Sequence, residues 1–291
     1  MSGEKIKLKI IDKLYKFATS IGSNLMTAAE VLKFMKFDVS FGQRDDDIYI
    51  SSFPKSGTTW MQMLMYQLTT DGNMDFDHIY DVSPWIRNAA HLGIEPKDIP
   101  SPRIIKTHDT YKWFPSNRKG RFIYVMRSGI DVAASYYHHQ KNYDNPLITF
   151  DEVFKGTFIE RTSMNWFDHV SEWLNNKHQF PMLVVTYEEL QYDMDKVINK
   201  IVDFCGLTLN PADLPRIKER SSFEFMKKHQ DKFGEKPQQP LVFDQFIRKG
   251  KVGEGESYFS DEQVLQYHDI FNKVLAPYQL TFQPKEIEEK A

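Results

Sequence analysis

The chain has 291 residues, of which 41% are hydrophobic, and this is enough for the core of one large domain or two smaller ones. Its formal net charge of −3 gives no basis for binding a polyanion such as DNA. A single cysteine, Cys205, excludes an internal disulfide and is typical of a reducing compartment such as the cytoplasm. No run of apolar residues approaches the length of about 18 that a membrane-spanning helix needs.

Residues 1–20 form the first predicted element, a basic amphipathic helix. Ile6, Ile10, Leu14 and Phe17 recur at steps of three and four residues, as on one face of a helix. We expect this apolar stripe to pack against the rest of the domain while the lysines face solvent. Contact with a membrane surface is the alternative for such a helix.

The first predicted strand runs directly into a short polar loop. Apolar residues 48–50 enter the sequence Pro-Lys-Ser-Gly-Thr-Thr at 54–59, and an apolar helical run follows. A helix that begins after such a loop presents backbone N–H groups and the positive end of its dipole to an anion. Lys55 precedes Gly57, whereas nucleoside triphosphatase loops carry the lysine after their second glycine, so we predict a phosphate site of another kind.

Apolar strands and helical stretches alternate along the whole chain. This alternation predicts an α/β fold with a central parallel sheet and helices on both of its faces. Ligands of such sheets bind at the carboxyl ends of the strands, which is where the polar loops lie. We predict strands at 47–53, 103–107, 121–126 and 182–186, and helices at 58–70, about 84–92, 130–140, 161–178 and 188–205.

The second predicted strand ends in a candidate catalytic base. Lys106 and His108 are two residues apart, so their side chains point the same way from an extended strand. A histidine can accept the proton of an attacking hydroxyl, and an ammonium group can stabilise the negative charge that develops during group transfer.

The third predicted strand leads into a second candidate anion site. It ends at Arg127, and a turn at Ser128-Gly129 opens the next helix. A guanidinium group at a strand end can bind a phosphate through two N–H groups. Ser135 lies about two helical turns further on and can face the same anion. The residues therefore indicate a nucleotide site that holds two anionic groups.

Residues 246–257, near the end of the chain, combine basic side chains with glycines. Arg248 and Lys249 are adjacent, and glycines stand at 250, 253 and 255. This pattern predicts a basic, flexible flap.

Together these segments resemble the cytosolic sulfotransferase family. Residues 54–60 match P-K-[SC]-G-T-[TN]-W, the 5′-phosphosulfate loop of that family, and residues 127–138 resemble R-N-P-x-D-x-x-x-S-Y-Y-H, its 3′-phosphate site. Residues 106–108 match its K-T-H, and residues 248–253 match its R-K-G-x-x-G. The resemblance implies one domain over residues 1–291 that moves a sulfuryl group from 3′-phosphoadenosine 5′-phosphosulfate (PAPS) to a small acceptor.

The resemblance also assigns roles to individual residues. His108 is the implied general base, Lys55 stabilises the leaving phosphate, and Lys106 holds the sulfuryl oxygens. No metal is implied, and the sequence has no cluster of His and Cys ligands. The implied donor-binding residues are Lys55, Ser56, Gly57, Thr58, Thr59, Trp60, Arg127, Ser135, Tyr187, Ser221, Phe223, Phe246, Ile247, Arg248, Lys249 and Gly250, with Trp60 and Phe223 flanking the adenine.

The sequence departs from the family pattern at several points. Ser128-Gly129 replaces Asn-Pro, Thr110 replaces the proline after the base, and Glu254-Gly255-Glu256 replaces Asp-Trp-Lys. We expect an altered acceptor loop after His108 and a different closure of the flap. The family's dimer motif has no match after residue 250, so a monomer and a different homodimer both stay open.

The acceptor is expected to be a small hydrophobic alcohol, sterol or phenol. Aromatic residues make up 14% of the chain and provide walls for an apolar pocket. The alternatives are an amine or another small-molecule acceptor, a nucleotide-dependent phosphotransferase, and a non-catalytic protein that binds adenosine 3′,5′-bisphosphate. The candidate acceptor residues are Phe53, Trp85, His139, Phe154 and Phe243.

Overall fold

Four parallel strands form the central sheet, in the order β2-β1-β3-β4. Strand β1 pairs with both β2 and β3, so that Ile48 lies opposite Ile104 and Arg121. The computed structural model describes residues 3–20, 26–95, 97–160, 165–234 and 246–282. All four predicted strands and the predicted α/β class are confirmed. The strands are β1 Ile48–Ser52, β2 Ile104–Thr107, β3 Arg121–Met126 and β4 Met182–Thr186.

Helices cover both faces of this sheet. A single π-helical turn follows α6 at residues 155–159. Among the residues that the structure describes, no helix is long and apolar enough to cross a membrane. The helices are α1 Gly3–Ser20, α2 Met26–Phe41, α3 Thr58–Thr69, α4 Ile86–Leu92, α5 Gly129–Tyr143, α6 Phe150–Phe154, α7 Trp166–Asn175, α8 Tyr187–Tyr192, α9 Met194–Cys205, α10 Leu214–Arg220, α11 Phe223–Lys228 and α12 Asp261–Leu275.

Two helix predictions need correction. The stretch 188–205 is two helices, because the Asp193 side chain accepts the N–H of Lys196 and starts α9 as its N-cap. The predicted helix 161–178 is α7, which ends where Asn176 adopts a left-handed conformation. Residues 161–164 lie outside the described part of the chain.

The two faces of the sheet bury different side chains because successive residues of a strand point in opposite directions. Tyr49, Phe122 and Tyr124 face an aromatic cluster that includes Trp173 of α7. The alternate residues of the same strands pack against aliphatic side chains of α3 and α9. The sheet therefore lies between two hydrophobic layers, and the carboxyl ends of its strands open toward the polar loops.

A buried ion pair joins the amino-terminal ends of β1 and β2. Arg103 donates to both carboxylate oxygens of Asp47 at 2.7 Å, and it also donates to the carbonyls of Phe41 and Gly42. Both charged side chains are almost fully buried, at 2% and 0% exposure. The pair is fully hydrogen-bonded, so the loss of one partner leaves the other charge buried and unpaired.

We expect Arg103→Ala to destabilise the fold by about 3–5 kcal/mol because Asp47 would stay buried without its partner. Urea unfolding followed by circular dichroism measures this loss. Arg44→Ala is the matched control, since its partner Asp98 is 97% exposed and such pairs contribute about 1 kcal/mol or less. Equal losses in the two variants would contradict this account.

The prediction for the first helix is wrong in its orientation. Helix α1 packs on α2, and Ile11 of α1 is buried. The stripe that we expected to be covered is instead exposed to solvent at each of its four members, Ile6, Ile10, Leu14 and Phe17. The sequence pattern identified the stripe correctly, but α1 buries the side that carries Ile11 instead.

Candidate active site

A cleft of about 350 Å³ opens at the carboxyl ends of β1, β2 and β3. It brings together residues from every segment that the sequence singled out. Its lining also includes side chains that sequence reasoning missed, among them Tyr80, Tyr136, Asp144, Gln191, Met226 and Lys251. The predicted residues that line it are Lys55, Gly57, Thr58, Thr59, Trp60, Trp85, Lys106, His108, Arg127, Ser135, His139, Tyr187, Phe223, Phe246, Ile247, Arg248, Lys249 and Gly250.

The loop between β1 and α3 has the backbone form of an anion cradle. Lys55 and Gly57 both have positive φ angles, of 67° and 99°, and α3 begins at Thr58 without a side-chain cap. A Cβ atom on Gly57 would lie 2.8 Å from the ring of Tyr187. Glycine is therefore required here both by its conformation and by the close approach of this ring.

Two serines and one threonine place buried hydroxyl groups at this loop. The hydroxyl of Ser52 lies 2.6 Å from that of Thr58, and both are buried. The buried hydroxyl of Ser56 has no hydrogen-bond partner within the described chain. An anion in the cradle would satisfy such a group, so the loop fits a phosphate.

His108 is held in the orientation of a general base. Its Nδ1 lies 2.8 Å from the carbonyl oxygen of Ser52, which can only accept a hydrogen bond. Nδ1 therefore carries the proton, and Nε2 keeps its lone pair. The ring meets Trp85 edge to face at 5.3 Å and borders the cleft.

The surroundings of His108 keep it neutral. Burial, together with the charges of Lys106 and Lys55, lowers its pKa well below the usual value, despite the opposing hydrogen bond to Ser52. A neutral imidazole can accept a proton at physiological pH.

Lys106 is positioned by two aromatic side chains. Its ammonium group donates to the hydroxyl of Tyr80 at 2.8 Å and lies 4.4 Å from the ring centre of Trp85. Trp85 also forms a parallel bridge with Lys106, which extends the sheet edge by one residue. The predicted helix at about 84–92 accordingly starts only at Ile86.

Arg127 links the phosphate loop to the flap. Its guanidinium group donates to the carbonyls of Lys55 and Lys251, at 3.4 and 3.0 Å, and lies 4.3 Å from the ring centre of Tyr187. Its Nε is buried and has no partner within the described chain. A phosphate beside this residue would bring the two loops together.

Trp60 and Phe223 both border the cleft beyond Arg127. The indole N–H of Trp60 donates to the carbonyl of Ser221 at 2.7 Å, which fixes the plane of the ring. The ring of Phe223 lies against Gly250, where a Cβ atom would approach to 2.5 Å. Ser221 itself is buried behind Trp60 and does not line the cleft.

The sulfotransferase domain model matches residues 45–279, which cover the sheet and every element of the cleft. The chain belongs to the sulfotransferase family. It is 34% identical to mouse sulfotransferase 1B1 over 259 residues, which are 83% of this chain and 87% of that protein. It is also 30% identical to human sulfotransferase 1C2, with 96% of each chain covered.

A solved structure of mouse sulfotransferase SULT7A1 complexed with PAP has the same fold. Its TM-score is 0.63 at 28% identity, with 81% of this chain and 87% of that chain covered. The predicted activity, that of a PAPS-dependent sulfotransferase, is confirmed, and the non-catalytic alternative is not favoured.

A buried carboxylate anchors the flap of this sulfotransferase. Asp131, in the first turn of α5, accepts the backbone N–H groups of Gly253 and Gly255 at 2.9 and 2.8 Å. A Cβ atom on Gly255 would collide with the carbonyl of Ile130. The replacement of the family's tryptophan by glycine therefore lets the flap lie directly on the start of α5.

We expect Gly255→Ala to weaken binding of adenosine 3′,5′-bisphosphate (PAP) about tenfold, because the flap must lift from α5 and loses its bonds to Asp131. Isothermal titration with PAP measures the change. Gly156→Ala is the control, because a Cβ atom there meets no atom within 4 Å. Unchanged affinity in Gly255→Ala would show that the anchored flap contributes nothing to nucleotide binding.

The loop after His108 is held by an ion pair instead of a proline. Asp109 binds the guanidinium group of Arg87 from α4 and accepts the hydroxyl proton of Thr107 at 3.1 Å. Its backbone carbonyl accepts the indole N–H of Trp173. These bonds tie β2 to α4, so Thr110 does not leave the loop unsupported.

The Ser128-Gly129 turn contacts two residues from later in the chain, Glu188 and Tyr267. The N–H of Ser128 donates to Glu188 at 3.0 Å, and burial raises the pKa of Glu188 to about 7. A Cβ atom on Gly129 would lie 2.9 Å from the ring of Tyr267. The aromatic ring thus occupies the space into which a larger residue would project.

Two predicted acceptor residues do not line the cleft, and a third cannot be assigned to it. Phe53 is buried behind it and meets His169 edge to face at 5.6 Å. Phe154 belongs to the aromatic core below the sheet. Phe243 lies outside the described residues.

Buried His169 makes the stability of this enzyme depend on pH. Burial lowers its pKa to about 3, and its Nδ1 lies 2.9 Å from the hydroxyl of Tyr124. Below about pH 6.5 this histidine becomes protonated in the unfolded chain but stays neutral in the folded chain, so the free energy of unfolding decreases as the pH falls.

We expect the free energy of unfolding to decrease by about 2 kcal/mol less in His169→Gln than in the wild type between pH 7 and pH 5. Urea unfolding at both pH values measures this, and equal losses would contradict it.

Proposed function

We propose that this sulfotransferase uses His108 to activate the hydroxyl of a small hydrophobic acceptor. The observation that carries the proposal is the bond from Nδ1 of His108 to the carbonyl of Ser52, which leaves Nε2 as the proton acceptor. PAPS supplies the sulfuryl group. Nε2 takes the acceptor proton, while Lys55 and Lys106, which line the same cleft, provide positive charge for the sulfuryl group and the leaving phosphate.

The donor roles are proposed from the placement of the side chains. Residues 55–60 would hold the 5′-phosphate, and Arg127 with Ser135 would hold the 3′-phosphate under the flap residues 246–250. Trp60 and Phe223 would enclose the adenine, and Tyr187 would keep Arg127 and Gly57 in place. Ser221 would act through its carbonyl bond to Trp60.

The acceptor end of the cleft supports a hydrophobic substrate. Tyr80, Trp85, Tyr136 and His139 line it, and burial lowers the pKa of His139 to about 3, which keeps this residue uncharged. Behind Tyr80 and Trp85 lies a second cavity of about 190 Å³ with mostly apolar walls. We therefore propose a sterol, a phenol or another apolar alcohol.

An amine-bearing acceptor is the second candidate. Among the described residues that line the cleft, only Asp144 carries a carboxylate. A cationic acceptor could pair with it.

The single cysteine of the chain supports a proposed location in the cytoplasm.

Transfer of labelled sulfate from PAPS to sterols, phenols, amines and simple sugars tests the proposal. We expect label on an apolar alcohol or phenol. Label on amines that is lost in Asp144→Asn would instead establish the second candidate. Label on sugars alone would contradict an apolar acceptor, and tight PAP binding with no label on any acceptor would contradict the proposed catalysis.

A further inference from the structure

Helix α1 carries two apolar faces, and only one of them is covered. Ile11 is buried against the rest of the protein, and Leu8 and Tyr15 on the same side are half-buried. On the other side four large apolar side chains follow each other along the helix at intervals of three or four residues. The members of this exposed stripe and their exposures are Ile6 48%, Ile10 54%, Leu14 49% and Phe17 64%.

Lysines border the exposed stripe. At 100° per residue, Lys9 and Lys13 lie along one edge of the stripe and Lys7 lies along the other. All three are exposed. Asp12 lies on a different side of the helix, where it pairs with Lys36 of α2 at 2.8 Å. The face that meets solvent is therefore apolar along its centre and basic at its edges.

The charge of α1 is opposite to that of the rest of the chain. Its 18 residues include five lysines and two acidic residues, for a net charge of +3. The whole chain has a net charge of −3, so the remaining residues carry −6. Such a local excess of positive charge favours contact of this helix with an anionic partner.

We propose that α1 binds the surface of an anionic lipid membrane, lying in the plane of the interface. Ile6, Ile10, Leu14 and Phe17 would enter the boundary between headgroups and acyl chains, and the lysines would meet the lipid phosphates. A helix with an apolar stripe and basic edges has the chemistry of this binding mode.

A second copy of the chain fits the same face less well. A two-fold contact through the stripe would place α1 against its own equivalent. Two helices of charge +3 would then lie side by side, with their lysines opposed across the contact. An anionic lipid surface removes this repulsion because its charge is complementary.

Sedimentation of the full chain with lipid vesicles tests the proposal. One set of vesicles contains phosphatidylcholine alone, and the other contains phosphatidylcholine with phosphatidylserine. We expect binding to the second set, with an affinity that falls as the salt concentration rises. The double variant Ile10→Gln/Leu14→Gln should bind about tenfold or more weakly, because two side chains no longer enter the apolar layer.

Three further variants make the test specific. Leu265→Gln is the matched control, since Leu265 is 71% exposed on α12, and it should bind as the wild type does. Lys7→Gln/Lys9→Gln/Lys13→Gln should lose the preference for phosphatidylserine. Circular dichroism and turnover of a water-soluble acceptor check that each variant is folded. In the variant Phe17→Trp the tryptophan emission should shift to the blue on binding.

Three outcomes would overturn the proposal. The first is that neither set of vesicles binds. The second is that Ile10→Gln/Leu14→Gln binds as tightly as Leu265→Gln, which would assign the binding to another surface. The third is a concentration-dependent dimer, detected by light scattering, that the double variant abolishes while vesicle binding is absent, which would assign the stripe to a second copy.

Discussion

His108→Ala is expected to lower kcat by about 10²–10⁴-fold while PAP still binds with nearly unchanged affinity. The substitution removes the only group that we assign to proton removal from the acceptor. It removes the bond from the imidazole to Ser52, but the phosphate loop keeps the bond between the hydroxyls of Ser52 and Thr58. Steady-state kinetics of sulfate transfer and titration with PAP measure the two effects separately.

His268→Ala is the control for this experiment, since His268 is exposed on α12, away from the cleft. Its activity should equal that of the wild type. Full turnover in His108→Ala would remove His108 as the base and leave the family assignment untouched. Loss of PAP binding in the same variant would show instead that the imidazole supports the nucleotide site.

Lys55→Met should lower kcat by about 10²–10³-fold, the usual cost of removing one group that stabilises charge in the transition state. Methionine keeps the length of the side chain and removes its charge. The ammonium group lies 4.7 Å from the ring centre of Phe246, at the junction of loop and flap. We expect the loss to appear mainly in kcat, because Lys55 should act on charge that develops during transfer.

Lys141→Met serves as the matched control, because its ammonium group lies over the ring of Tyr137 and does not line the cleft. Lys55→Arg restores the charge with a different shape and should recover only part of the activity. A loss in Lys55→Met that appears only as weaker PAP binding would contradict a role in the transition state.

Local patterns in the sequence were sufficient to predict which strands and loops form the site. Three predicted apolar strands are followed closely by Lys55, His108 and Arg127. Because the carboxyl ends of parallel strands meet at one edge of the sheet, these three side chains are expected to lie there. The order of lysine and glycine in residues 55–57 distinguished this loop from that of nucleoside triphosphatases. These are signals of short range, and the structure places all three side chains in one cleft.

The contacts that hold the site were not predictable in this way. The ring of Tyr187 against Gly57, the bond from Asp131 to the flap and the pair of Arg87 with Asp109 each join residues that are 22 or more positions apart. Periodicity and short motifs do not predict contacts between residues so far apart in the sequence. They depend on how helices of the domain pack around the finished sheet.

The orientation of α1 was also not predictable from local patterns in the sequence. Periodicity in residues 6–17 identifies an apolar stripe correctly, but it cannot tell which surface will cover it. In the structure α1 packs on α2 with Ile11 buried, and the stripe of Ile6, Ile10, Leu14 and Phe17 stays exposed. Backbone conformation and side-chain chemistry are local properties of the chain, whereas the choice of buried face depends on the free energy of the whole packed domain.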